Sequence, residues 1–230
     1  MSWRDGIMEA FRRARVLLRE ILYPEGALCL NCGRISDGNT LCPDCRRDLR
    51  EGDLLESWET GEVGGVPFWS MRPHRGIPRT LILRLKHGAE SRAAAELAAI
   101  LQTRPAYFPA LSPDTVVTWV PGPKGRILER GVDHGKLLAE AMARELGRPC
   151  RPLLTRRGND RPQARLKESQ RRQNLKNAFL PAGRISFPVL LVDDVLTTGT
   201  TASRCIDALR KGGATDIMVL TATKATSSKS

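Results

Sequence analysis

Aromatic side chains are scarce in this chain: Phe, Trp and Tyr together make up 5% of its 230 residues. Long apolar runs are missing altogether. No stretch approaches the roughly 18 uncharged apolar residues that a membrane span needs, which excludes a helical membrane protein. The first twenty residues, MSWRDGIMEAFRRARVLLRE, lack the uninterrupted apolar core of a secretory signal, because Arg12, Arg13 and Arg15 cut through it. The expectation is a cytoplasmic protein. Histidine is reduced to three residues, and neither His74 nor His87 has ligand spacing with another histidine, so each reads as a surface or packing residue. The chain also has no Gly-x-x-x-x-Gly-Lys phosphate loop and no Rossmann fingerprint.

What is present is an ordinary globular balance, 41% hydrophobic and 27% charged, which rules out a wholly disordered or collagenous chain. The length suits one full domain plus a small appendage. Acidic residues are the minority, 25 against 37 Lys and Arg, and the formal charge of +12 leaves nucleic acid, phosphorylated small molecules or an anionic surface as partners.

Four of the six cysteines form Cys29-x-x-Cys32 and Cys42-x-x-Cys45. In a tight turn the sulfurs of residues i and i+3 can face one metal, and two such turns complete a tetrahedral thiolate cage for a structural Zn²⁺. Disulfides suit a reducing compartment poorly, and a thioredoxin-like site would need one pair beside a βαβ pattern, whereas Gly33, Gly38, Asn39 and Pro43 mark turns. Cys205 shares a helical face with Ala202, Ile206 and Leu209 and reads as a small buried hydrophobe.

Apolar residues at 7, 11, 14, 18 and 21 predict an amphipathic N-terminal helix. Residues 46 to 66 read as a connector with one short strand. Ser91 is placed to cap a helix carrying Leu97, Ile100 and Leu101. Thr115 to Val120 and Val189 to Val192 read as buried strands and Asp216 to Ala222 as a third. Helices are expected at 133 to 146, opened by Asp133 and closed by Gly147, and at 200 to 211, ending at Gly212-Gly213. The last residues, TKATSSKS, read as a frayed tail. Strand, helix, strand, helix, strand argues an α/β fold with parallel neighbours.

The most informative stretch runs from Val189 to Thr201, VLLVDDVLTTGTT. A strand ending in two carboxylates, a short hydroxyl loop with one Gly, and then a helix gather backbone N–H groups and the positive end of a helix dipole around one anionic site. Thr197, Thr198, Thr200 and Thr201 offer hydroxyl donors, and Gly199 permits close backbone approach. Asp193 and Asp194 would repel phosphate unless they held something else, such as vicinal sugar hydroxyls or a magnesium shared with them.

This stretch resembles the ribose-5-phosphate signature of type I phosphoribosyltransferases. The resemblance implies that paired acids hold the ribose hydroxyls of phosphoribosyl pyrophosphate, that the Thr/Gly loop holds its 5-phosphate, and that Mg²⁺ accompanies the ligand. With the cysteine module the whole chain is similar to the ComF family, associated with DNA uptake in competent bacteria. Tyr23-Pro24, Leu85-Lys86-His87-Gly88, Arg130-Gly131, Pro162-Gln163, Arg171 to Asn174 and Ala178-Phe179 carry that likeness. After Arg130-Gly131 the family usually reads Phe-Asn-Gln, whereas this chain has Val132-Asp133-His134, a departure that weakens any role for the Asp133 and His134 side chains. Glu129, Asp133 and His134 are candidates for a general acid or base, although phosphoribosyl transfer needs no protein nucleophile. The expected organisation is a helix and zinc module over 1–55 and a phosphoribosyltransferase-like domain over 56–230.

Residues 151–184 carry ten Lys and Arg against Asp160 and Glu168, a local charge of +8. By the resemblance they form the loop and hood over pyrophosphate and acceptor, with Arg156, Arg157, Arg171 and Arg172 as contacts; Lys124, Arg126 and Arg130 follow the first strand of the second half and lie near pyrophosphate. Arg72 to Arg92 form a second cluster, with six cations against Glu90. The alternative reading is a non-catalytic single-stranded DNA module, in which the cations track the backbone and Phe68, Trp69 or Phe179 stack bases.

Overall fold

The computed structural model describes residues 27–51, 58–88, 90–103, 110–157 and 178–225. The predicted N-terminal helix, most of the basic segment and the C-terminal tail lie outside them. The chain divides into two compact units, Met1–Asp48 and Leu49–Ser230.

The first unit is built on turns. Cys29 N–H donates to Arg34 O at 2.8 Å and Gly33 N–H to Cys29 O at 3.0 Å, which closes the first knuckle. Gly33 and Gly38 take φ of 74° and 81°, the left-handed conformation that a side chain disfavours. Helix α1 (Pro43–Glu51) then starts with Pro43 and Asp44 and has Arg50 in its last turn, an order suited to both ends of the helix dipole. It corrects the expectation of a connector from residue 46.

The second unit is an α/β sheet. Strands β1 (Glu59–Val63) and β2 (Val66–Pro73) form a hairpin, where one short strand was expected. Helices α2 (Gly76–Gly88) and α3 (Ser91–Ala98) follow, then a 3-10 turn over Ala99–Thr103. Glu90 occupies the cap of α3 and no side chain caps it, so Ser91 is the first helical residue instead. Next come β3 (Val116–Trp119), the short helix α4 (Lys124–Arg130) and α5 (His134–Leu146). Asp133 caps α5 by accepting from Gly135 N–H, and Gly147 ends it at φ 62°, as the sequence predicts. A small antiparallel pair, β4 (Leu154–Arg156) and β5 (Phe179–Pro181), precedes β6 (Val189–Leu196), α6 (Thr200–Gly212) and β7 (Ile217–Lys224).

The main sheet has the order β1-β2-β7-β6-β3. Only the β1–β2 pair is antiparallel; β2–β7, β7–β6 and β6–β3 are parallel. The central strands are apolar on both faces, as parallel strands covered by helices must be. Val189, Leu191, Ile217 and Val219 join one core with Cys205, Ile206 and Leu209 of α6 and with Leu154 and Phe179. Leu190, Val192 and Leu220 alternate with them and are equally buried. Strand β6 is longer than predicted: Asp193, Val195 and Leu196 still pair with Thr221, Thr223 and Lys224. The carboxylates therefore sit within the strand, at the carboxyl edge of the parallel sheet, where ligands of open α/β sheets bind. Among the described residues no helix is long and apolar enough to cross a membrane.

Candidate functional site

In the first unit the sulfurs of Cys29, Cys32, Cys42 and Cys45 lie within 4.8 Å of one another. A tetrahedral cage with Zn–S bonds of about 2.3 Å has edges of about 3.8 Å, and Cys32 Sγ and Cys42 Sγ stand 3.7 Å apart. The donor set and its size fit a zinc ion. Outer donors surround the cage: Asn31 Nδ2 is 3.3 Å from Cys45 Sγ, and Arg34 Nε and Nη2 are 3.4 and 3.6 Å from Cys32 and Cys42 Sγ. The Arg34 hydrogen bond draws the exposed Cys32 thiol down to about 6, whereas burial pushes Cys45 up to about 12. Cys205 is fully buried on the inner face of α6, as expected of a packing residue.

In the second unit the carboxyl edge of β6 carries Asp193 and Asp194, and the loop Thr197–Gly199 leads into α6. Gly199 caps α6 at φ 72°, and a Cβ there would come within 2.6 Å of Val63 Cγ2, so both backbone conformation and space require glycine. Thr197, Thr198, Thr200 and Thr201 are exposed, with the Thr198 and Thr200 hydroxyl oxygens 2.9 Å apart. These hydroxyls stand beside the start of a 13-residue helix, where Thr200 N–H is 3.5 Å from Thr198 Oγ1, an arrangement whose polarity suits an anion.

Alternation along β6 sends the two acids to opposite faces. Asp193 stays with the α6 side, where its Oδ1 accepts from Asp194 N–H at 2.9 Å. Burial, together with the neighbouring Asp194 charge, pushes it up to about 7. Asp194, on the other face, meets two side chains absent from the predicted binding set. Lys86 Nζ at the end of α2 is 2.8 Å from its Oδ2, and His134 Nε2 at the start of α5 is 3.2 Å from the same oxygen. Burial works against its ionisation, but the His134 hydrogen bond and the Lys86 charge outweigh it and hold its pKa below the usual carboxylate value.

The departure from the family pattern is thus part of the site. His134 reaches Asp194, while Asp133 anchors the start of α5 and accepts from Trp119 Nε1 at 3.1 Å. Sequence order could not bring Lys86 and His134 to Asp194; the available signals were the Leu85-Lys86-His87-Gly88 likeness and the candidacy of His134 as a general acid or base. His74, at the end of β2, shares a 2.9 Å hydrogen bond with Thr223, whose hydroxyl donates to Asp194 O at 3.3 Å. Burial and the charges of Lys86 and Arg79 lower its pKa.

As a bare magnesium site the acid pair is ill suited. Asp194 Oδ2 already has two nitrogen partners and Asp193 keeps its proton to about 7, whereas Mg²⁺ requires a near-ideal oxygen octahedron. Neutral hydroxyls match the pair better, since an ionised acid accepts from them and a protonated one also donates.

Other sequence candidates fall in varied places. Lys124 and Arg126 are exposed on the short helix α4 that follows β3. Arg130 ends that helix. Arg157 is exposed, while Arg156 belongs to β4 with its guanidinium 5.6 Å from the Phe179 ring centre. Arg171 and Arg172 lie outside the described residues. Arg72 is buried and donates to Met71 O, so it contributes no exposed charge to the second cluster. Phe68 and Phe179 are 5% and 6% exposed and fill the core, which removes both as base-stacking platforms.

No family model matches the chain. DNA utilization protein YhgH of Salmonella typhi is 33% identical over 216 residues, covering 84% of this chain and 88% of that protein. The chain belongs to the ComF family. Competence protein F of Haemophilus influenzae is 40% identical to this ComF-family chain over 95 residues, 39% of the chain and 42% of that protein. Among solved structures, glutamine phosphoribosylpyrophosphate amidotransferase of Bacillus subtilis, complexed with ADP and GMP, is 23% identical with a TM-score of 0.38, over 56% of this chain and 26% of that one.

Proposed function

We propose that the second unit binds phosphoribosyl pyrophosphate at the carboxyl edge of β6 and that the chain serves in DNA handling. The observation that carries the reading is the juxtaposition of an acid pair with an exposed hydroxyl and N–H cradle at the start of α6. The 5-phosphate lies in the Thr197–Thr201 cradle, and the ribose hydroxyls meet Asp193 and Asp194. The pyrophosphate end faces the cations that follow β3, Lys124, Arg126 and Arg130, because β3 adjoins β6 in the sheet. Mg²⁺ neutralises pyrophosphate charge when it accompanies that group. Transfer to an acceptor would rely on charge stabilisation and positioning, with no protein nucleophile. The DNA context rests on the relatives, one a DNA utilization protein and one a competence protein. The first unit serves as a structural zinc module.

Isothermal titration with phosphoribosyl pyrophosphate tests the site. Wild type should bind with a saturable isotherm that Asp193→Ala plus Asp194→Ala abolishes; equal isotherms for both proteins would move the site elsewhere. Retained binding without turnover of radiolabelled ligand, in the presence of single-stranded DNA or nucleobases, would favour a binding module over a transferase.

A further inference from the structure

Two neighbouring carboxylates beside an anion cradle pose a charge problem, and the structure answers it with a lysine. Lys86 lies in the last turn of α2, where the helix dipole favours a cation. Its ammonium is 2.8 Å from Asp194 Oδ2, with the side chains only 28% and 10% exposed, so water and salt screen the pair weakly. His134 bonds to the same oxygen, which leaves Asp194 Oδ1 as the acceptor for an incoming hydroxyl.

We propose that Lys86 is the built-in counter-cation of this site, a positioning residue that offsets Asp194 and lets the Thr197–Thr201 cradle take a pentose phosphate without a divalent metal. The inference rests on reading the cradle as a sugar-phosphate site. It specifies the ligand class that binds metal-free, a pentose monophosphate, and assigns to a side chain the neutralising task that sequence alone left to sugar hydroxyls or magnesium.

The test is titration of ribose 5-phosphate into the full chain in EDTA. Wild type binds. Lys86→Gln keeps an N–H for Asp194 but drops the charge, and binds about 10- to 100-fold more weakly, the range for removing one weakly screened unit charge several Å from an anionic ligand. Lys86→Arg recovers most of the affinity, and added Mg²⁺ narrows the deficit of Lys86→Gln more than it improves wild type. Lys136→Gln, which removes an exposed charge of α5 paired with Glu140, stays within about threefold of wild type. A loss at Lys136→Gln as large as that at Lys86→Gln contradicts the assignment of the charge to Lys86. A wild type that binds only when Mg²⁺ is present overturns the proposal. Thr198→Val plus Thr200→Val tests the underlying reading separately. If these variants lose binding while Lys86→Gln matches wild type, the Lys86 assignment falls and the cradle stands; if they bind like wild type, the cradle itself falls.

Discussion

Asp193 and Asp194 are chemically identical and adjacent, yet the fold gives them opposite ionisation behaviour. Folded Asp193 holds its proton up to about 7, against 3.8 for an unperturbed aspartate. Between those values the native state binds more protons than the unfolded chain, so this residue makes stability fall as pH rises through the window. Asp193→Asn removes that cost and keeps the oxygen that accepts from Asp194 N–H. Thermal melts should therefore show the variant more stable than wild type at about pH 8, with the gap shrinking as pH falls from about 7 and gone below about 4. A pH-independent gap would place the shift elsewhere. Asp194 has the opposite sign: its lowered pKa contributes stability above the unperturbed value, lost as acid protonates it. The two acids and the threonines were legible in the sequence because one short stretch holds them. The meeting of Lys86 and His134 at Asp194 was not, because α2 and α5 deliver them from distant parts of the chain, although each residue stood out singly, one in the family likeness and one as an acid–base candidate.

At the scale of elements, the cradle depends on the β1–β2 hairpin as well as on α6. Val63 packs where a Cβ on residue 199 would sit, and Arg210 near the end of α6 donates to Gly64 O and Gly65 O at 2.9 and 3.0 Å. Gly199→Ala should cost about 1 to 2 kcal/mol from its positive φ alone, plus the clash with Val63. In denaturant titrations Gly199→Ala plus Val63→Ala should recover the clash and not the backbone cost; full additivity of the two losses would contradict that contact. Helices α5 and α6 were readable from their caps and apolar faces, and β7 from its β-branched run. Helix α1 was not: PDCRRDLRE buries only Leu49, Cys42's neighbour Cys45 and little else, so no apolar stripe announces it. The hairpin escaped for a related reason, since ETGEV is polar and its turn is Gly64-Gly65, both at positive φ.

For the whole molecule, the formal charge of +12 is less available than composition suggests, because Arg72 is buried, Lys86 is spent on Asp194 and Arg156 lies by Phe179. If single-stranded DNA is held, the exposed cations Lys124 and Arg126 are available for phosphate contact. Changing both to Gln should then flatten the log affinity against log salt slope by about 1.4, at about 0.7 per phosphate. An unchanged slope would put the contact elsewhere. Metal analysis should give one zinc per chain, with loss of amide protection over residues 27–48 on chelation; a metal-free protein with that protection intact would contradict a structural zinc. The central claim, a sugar-phosphate site at the end of β6, is tested most directly by amide chemical shifts on titration with ribose 5-phosphate. The account predicts saturable shifts centred on residues 193–201, with Lys86 and His134 responding alongside. Shifts confined to other parts of the chain, or none at saturating ligand, would contradict it.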